Sequence, residues 1–305
     1  MEFIVQVENI SKSYSEGKVM ALQHISFQVK QGTIFGMIGP DGGGKTTLFR
    51  ILTTLMLPDE GNAILLGYNL LSDYKKIRNY IGYMPGKFSN YQDLTVEENL
   101  QFFASIFNTT VDENYALIAE IYDQLRPFKD RRAGKLSGGM KQKLALCCAL
   151  IHKPKLLFLD EPTTGVDTVS RKEFWDILQR LKNQGITIFV STPYMDEAIH
   201  CDEIALIQEG KLLSVNTPKG IISQFGEELY AVSSENMSLT LRLLRKENEV
   251  KSSFSFGETH HVTLRNQHQA STFFHQFATT NQISGWKVKK IEPTIEDCFI
   301  KLMAK

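Results

Sequence analysis

Hydrophobic residues along this chain fall in two rhythms, and the switch between them lays out its elements. Met1-Glu2-Phe3-Ile4-Val5-Gln6-Val7-Glu8 alternates with a period of two, as a half-buried strand does. Gly32-Thr33-Ile34-Phe35-Gly36-Met37-Ile38 reads as a second strand that runs straight into a glycine-rich turn, and residues 45–56 continue with helical spacing. Further on, apolar strand-like runs at 156–159 and 186–191 flank a helix over 170–183, which Gly185 stops. This alternation, kept up to about Phe225, predicts an α/β domain over 1–225 with a largely parallel sheet. Residues 87–150 interrupt it with helical pieces, clearest at 94–103 and 117–125, and read as a helical insertion. From 226 to 305 the text turns to short strand-like pieces rich in Ser, Thr, Asn and His, and predicts a small α+β domain of its own. The longest apolar runs fall far short of the ~20 residues that span a bilayer, so any membrane span belongs to another chain.

Charge and cysteine usage narrow the classes. Thirty-four Lys and Arg balance thirty-four Asp and Glu, so no net basic field draws the protein to nucleic acid. The N-terminus carries acids where a secretion signal needs basic residues, so no export is expected. Cys147, Cys148, Cys201 and Cys298 have no metal-ligand spacing and read as buried thiols of a reduced, cytoplasmic protein. His260, His261, His268 and His275 fit no ligand set either and are expected to be solvated.

Three motifs carry chemistry. Gly39-Pro40-Asp41-Gly42-Gly43-Gly44-Lys45-Thr46, followed by Thr47, fits a phosphate-binding loop: the glycines let backbone N–H groups face the β- and γ-phosphates, and a helix dipole begins there. Lys45 then reaches the phosphate oxygens, and the Thr46 hydroxyl is a Mg²⁺ ligand. Leu156-Leu157-Phe158-Leu159-Asp160-Glu161 is an apolar strand ending in two carboxylates, where a nucleotide site in a parallel sheet needs its metal and its base. Asp160 is expected to hold Mg²⁺ through water, and Glu161 to polarise the attacking water. Leu136-Ser137-Gly138-Gly139-Met140-Lys141-Gln142-Lys143 opens a helix whose apolar residues Met140, Leu144, Cys147 and Ile151 share a face.

In this order and spacing the motifs resemble the ATP-binding cassette family, for which Leu-Ser-Gly-Gly is the defining signature. The resemblance runs from about Val5 to Phe225, and the tail is similar to that of drug- and polyketide-exporter ATPases of the ABC-2 type. It implies a P-loop cassette fold with a mixed, mainly parallel sheet and a helical signature subdomain, together with ATP and Mg²⁺ as ligands. It also implies a cytoplasmic subunit, peripheral to the membrane, that drives a permease made by a separate chain. In such pairs two cassettes pack head to tail, so Ser137, Gly138 and Gly139 would meet ATP held by a partner. A homodimer is favoured here over a heterodimer. Tyr14 matches the adenine-stacking aromatic, and Asp167, in Thr164-Gly165-Val166-Asp167, matches the loop that crosses to the partner.

Two side chains of the family pattern are absent. A glutamine is expected after Ile81-Gly82-Tyr83-Met84-Pro85, where this chain has Gly86, and a histidine two residues past Ser191, where it has Pro193. Neither Gln92 nor His200 is an evident substitute in the sequence. One lost donor commonly costs ~2.7 to 4 kcal/mol in such chemistry, so slow turnover is expected, with an ATP-sensing cassette of little turnover as the alternative.

Overall fold

The computed structural model describes residues 3–15 and 17–303; Met1 and Glu2 of the N-terminal alternating run lie outside the described residues. The chain divides into two compact units at Pro218/Lys219.

The first unit opens with two long strands, β1 (Phe3–Tyr14) and β2 (Val19–Lys30), followed by the short β3 (Ile34–Ile38) and α1 (Lys45–Leu52). β4 (Glu60–Leu65), β5 (Tyr68–Asn69), α2 (Tyr74–Tyr80) and β6 (Ile81–Met84) come next. The helical stretch holds α3 (Val96–Ile106), α4 (Val111–Leu125) and α5 (Gly138–Leu150). The core then resumes with β7 (Leu156–Asp160), α6 (Thr168–Asn183), β8 (Thr187–Thr192), β9 (Glu203–Gln208) and β10 (Lys211–Asn216). One sheet has the order β10-β9-β3-β8-β7-β6 and is parallel except at β10; the other, β2-β1-β4-β5, is antiparallel.

Every residue of β3, β7 and β8 is buried, which is why these strands read as unbroken apolar runs. β1 and β2 alternate because one side of their sheet faces the core. The two sheets meet over an aromatic knot: Phe35 lies 5.1 Å from Phe189 and 5.3 Å from Phe27, and Phe49 of α1 lies 4.9 Å from Phe189.

Reciprocal capping boxes, Thr95 with Glu98 and Thr110 with Glu113, start α3 and α4. In α5 the expected apolar stripe gives way to a gradient along the axis. Ser137 and Gly138 are exposed, whereas Leu144 to Leu150 are buried all round, because the helix runs from the surface into the packing of α3 and α4.

The second unit holds α7 (Pro218–Ser223, straddling the division), β11 (Leu229–Ser233), α8 (Met237–Leu244), β12 (Val250–Phe256), β13 (Thr259–Leu264), α9 (Ala270–Thr280), β14 (Lys287–Ile291) and α10 (Ile295–Met303). Its antiparallel sheet, β12-β13-β11-β14, buries Val232, Val262, Leu264, Phe274 and Phe277. His260, expected to be solvated, is 1% exposed, with its ring bonded to the Met237 carbonyl and the Ser255 hydroxyl. The four cysteines are free and buried. Among the described residues, no helix is long and apolar enough to cross a membrane.

Candidate functional site

β3 delivers the chain into the turn 39–44, and α1 leaves it at Lys45. Gly42 and Gly44 sit at φ of 78° and 101°, a region glycine enters freely. Gly39 is needed for a different reason: a Cβ there would lie 2.1 Å from the Ile207 carbonyl oxygen of β9. The Gly210 amide, after β9, donates to the Gly43 carbonyl at 3.1 Å and ties the turn to the sheet.

Within this turn Lys45 is 3% exposed. Its Nζ donates to the carbonyls of Gly39 (2.8 Å) and Pro40 (2.9 Å) and pairs with Glu161 Oε1 at 3.1 Å. A buried ammonium needs such compensation. Beside it the Thr46 hydroxyl donates to Asp160 Oδ1 at 3.2 Å, joining the start of α1 to the end of β7. The Ser191 hydroxyl on β8 donates to the same Asp160 oxygen at 2.7 Å and accepts from the Glu161 amide at 3.0 Å. Burial pushes the Asp160 carboxyl above the usual carboxylate range, against the pull of the bonds from Ser191 and Thr46. Glu161 stands at φ 52°, a left-handed conformation costing about 1–2 kcal/mol, and its amide is held in place by the Ser191 carbonyl (3.1 Å) as well as the hydroxyl.

The donor set suits a magnesium nucleotide. Thr46 and Asp160 present two hard oxygens side by side, the kind Mg²⁺ prefers, and the turn leaves backbone rather than side chains at a helix N-terminus.

The structure brings Lys45, Thr46, Asp160 and Glu161 into one bonded group and keeps the signature apart from it. Ser137 caps α5 by accepting from the Met140 amide at 3.4 Å, and its bonds stay within that helix. Gly139 lies against α6, where a Cβ would come 3.2 Å from Ser170 Oγ. Asp167 caps α6, accepting from the amides of Ser170 (3.0 Å) and Val169 (3.1 Å); the Ser170 amide above all holds its carboxyl below the usual range. The Tyr14 hydroxyl lies 3.3 Å from both Thr47 Oγ1 and Met56 Sδ, which sets its ring beside α1.

The two departures from the family pattern have distinct surroundings. A Cβ on Gly86 would meet the Asp160 carbonyl oxygen at 3.0 Å, so the backbone itself closes against β7. Past the end of β8, next to Pro193, buried Glu197 accepts from Thr192 Oγ1 (2.5 Å) and Thr163 Oγ1 (3.0 Å) and pairs with Arg171 at 3.2 Å. Neither Gln92 nor His200 substitutes by position: Gln92 is exposed, with its backbone carbonyl accepting from the Gly134 amide, and the His200 ring stacks on Trp175 at 5.1 Å. Sequence reasoning missed Ser191 and Glu197. The signal for the first was slight, a serine closing an apolar strand; for the second there was none.

The family profile described as ABC transporter matches residues 22–164. YbhF of Escherichia coli (strain K12), a "probable multidrug ABC transporter ATP-binding protein", is 39% identical over 226 residues, 73% of this chain and 39% of YbhF. The chain therefore spans well under half the length of that relative. Linearmycin resistance ATP-binding protein LnrL of Bacillus subtilis (strain 168) is 30% identical over 316 residues, covering 99% of both chains. Among solved structures, CbiO1 from Clostridium perfringens, part of the ABC transporter complex CbiONQ, superposes with a TM-score of 0.65 at 27% identity, over 74% of this chain and 92% of that one. End-to-end similarity to LnrL, on a fold shared with CbiO1, gives one placement: the chain belongs to the ABC transporter family, among its ATP-binding proteins.

Proposed function

We propose that this chain binds MgATP, hydrolyses it, and so energises an exporter whose membrane permease is a separate chain. The observation that carries this reading is the bonded group at the end of β3 and β7: Lys45 against Glu161 at 3.1 Å and Thr46 against Asp160 at 3.2 Å. Lys45 binds the β- and γ-phosphate oxygens, exchanging the loop carbonyls for the nucleotide. Thr46 and Asp160 hold Mg²⁺, which when bound neutralises phosphate charge. Glu161 orients the attacking water and accepts its proton, freed for that role as Lys45 turns to phosphate. Tyr14 and Thr47 flank the nucleotide at the start of α1. That Glu161 is retained, and held on Lys45, argues against a pure ATP sensor, which needs no base.

Ser137, Gly138 and Gly139 open α5 away from this group, which supports completion of each site by the signature of a second copy. Asp167 borders that contact. The names of YbhF and LnrL, a probable multidrug transporter protein and a resistance protein, support export as the direction, on the cytoplasmic face of the membrane. The charge balance speaks against a nucleic-acid partner.

The test is steady-state hydrolysis by the purified chain beside Lys45→Ala and Glu161→Gln, with its oligomeric state measured with and without ATP. Loss of turnover in both variants, and an ATP-stabilised dimer of Glu161→Gln, is the expected result. Turnover at background in the parent, unchanged by Glu161→Gln, would refute it.

A further inference from the structure

The sheet of the C-terminal unit uses its two faces differently. Neighbouring residues on β13 point to opposite sides. His260 turns toward α8 and bonds the Met237 carbonyl at 2.8 Å, on the side where Val262 and Leu264 enter the core. His261 turns the other way, toward α10, and its Nδ1 meets Asp297 Oδ1 at 2.6 Å. Phe254 and Ser252 of β12 pair with His261 and Thr263 of β13 and so share this second face.

α10 covers only part of that face. Beside it lies a partly enclosed cavity of about 300 Å³, at the lower end of the range of small-molecule sites. Its walls are mainly apolar, with Phe225, Leu229, Phe254 and Ile300. Two ammonium groups also reach it. Lys251 Nζ lies 2.7 Å and Lys301 Nζ 2.5 Å from the same oxygen of Glu227, and Lys301 donates to the Phe225 carbonyl as well.

The two lysines carry more N–H groups than the bonds they make. Each lysine has three N–H groups, so among the described residues Lys251 keeps two unspent and Lys301 one. Glu227 pairs with both ammonium groups. Asp297 is occupied: Oδ2 accepts from the Thr294 amide (2.8 Å) and hydroxyl (2.7 Å), and Oδ1 from His261. With Nδ1 committed to Asp297, the second nitrogen of His261, Nε2, has no hydrogen-bond partner among the described residues. Phe256 stacks on the ring at 4.0 Å and holds its plane.

We propose that this cavity is a binding site for a small amphipathic monoanion, a carboxylic acid with an aliphatic or aromatic body. The body packs among Phe225, Phe254 and Ile300, and the carboxylate takes the spare donors of Lys251 and Lys301. An amphipathic cation meets two ammonium groups, with Glu227 already paired to both, and a wholly apolar ligand strips water from those ammonium groups without replacing its bonds. A multiply charged phosphate gains little, because Glu227 and Asp297 already match the two ammonium charges of the lining.

The experiment is calorimetric titration of the full chain with decanoate and, separately, with decyltrimethylammonium. Two variants accompany it. Lys251→Met removes a half-exposed ammonium whose loss the fold tolerates, and Ile300→Trp fills the cavity from a partly exposed helix position. Expected is saturable one-to-one binding of decanoate, weakened about tenfold by Lys251→Met, as loss of a charge-assisted hydrogen bond implies, and absent in Ile300→Trp. Circular dichroism melting of both variants checks that they fold. The proposal is overturned by the lack of saturable decanoate binding, by equal or tighter binding of the cation, or by decanoate binding that neither variant changes.

Discussion

Replacing Ser191 by Ala tests whether Asp160 is the magnesium carboxylate. Ser191 is fully buried, and its hydroxyl makes the 2.7 Å bond to Asp160 while accepting from the Glu161 amide. The variant keeps the Thr46 bond to Asp160 and the Ser191 carbonyl under the Glu161 amide, so geometry is held while one charge-assisted bond is lost. Such a bond contributes about 1.5–3 kcal/mol, which at 1.36 kcal/mol per decade corresponds to roughly 10- to 150-fold. The Mg²⁺ concentration for half-maximal hydrolysis should rise by that factor at saturating ATP. The sign with pH follows from Asp160. Its carboxyl already lies above the usual range through burial, and the Ser191 bond is a downward pull, so the variant's carboxyl moves higher still. Magnesium binding requires the ionised form, so the loss should be largest on the acid side and shrink as pH rises. Stability of the nucleotide-free fold runs the opposite way. With the folded value above the unfolded one, ionisation of Asp160 opposes folding as pH climbs past the unfolded value. The assay is hydrolysis over a Mg²⁺ series at several pH values; an unchanged Mg²⁺ requirement, or a loss independent of pH, would refute the assignment.

Restoring a glutamine at Gly86 should lower turnover rather than raise it, because its Cβ meets the Asp160 carbonyl at 3.0 Å and displaces β7 or the loop; steady-state hydrolysis measures this. Pro193→His supplies a donor past the end of β8 and should raise the rate by about tenfold or more, in line with the 10²- to 10³-fold a well-placed donor is worth. Glu197→Ala leaves two threonine hydroxyls without their acceptor and Arg171 with Asp196 alone, and should cost about 3 kcal/mol, read by urea unfolding through buried Trp175 in a Trp286→Phe background. Asn99→Ala removes the amide that accepts from the Tyr91 N–H (3.0 Å) and donates to the Tyr91 and Thr95 carbonyls; a loss of about 1–3 kcal/mol and faster exchange of the Tyr91 amide proton are expected.

The parallel strands were readable because they are buried on both faces, which forces the unbroken apolar runs at β3, β7 and β8. The C-terminal unit was harder. Its strand-like pieces conceal α8, only eight residues long, and α9, whose Ser and Thr residues weaken the helical signal. Phe274 and Phe277 carry its buried side. His260 and His261 read alike as polar neighbours, yet the pleat of β13 sends one into the core and the other to Asp297.

The sequence by itself determined the chemistry that is local: a glycine turn that must end in Lys45 and Thr46, a strand that must end in Asp160 and Glu161, and a serine that starts α5. These follow from backbone constraint and from charge placed at strand ends. Tertiary structure alone decided that Ser191 supports Asp160 from an adjacent strand, that a side chain at Gly86 would crowd the Asp160 carbonyl, and that one face of the C-terminal sheet is left partly uncovered. Those outcomes depend on contacts between residues distant in the chain, where the distance of a single carbonyl oxygen decides what fits.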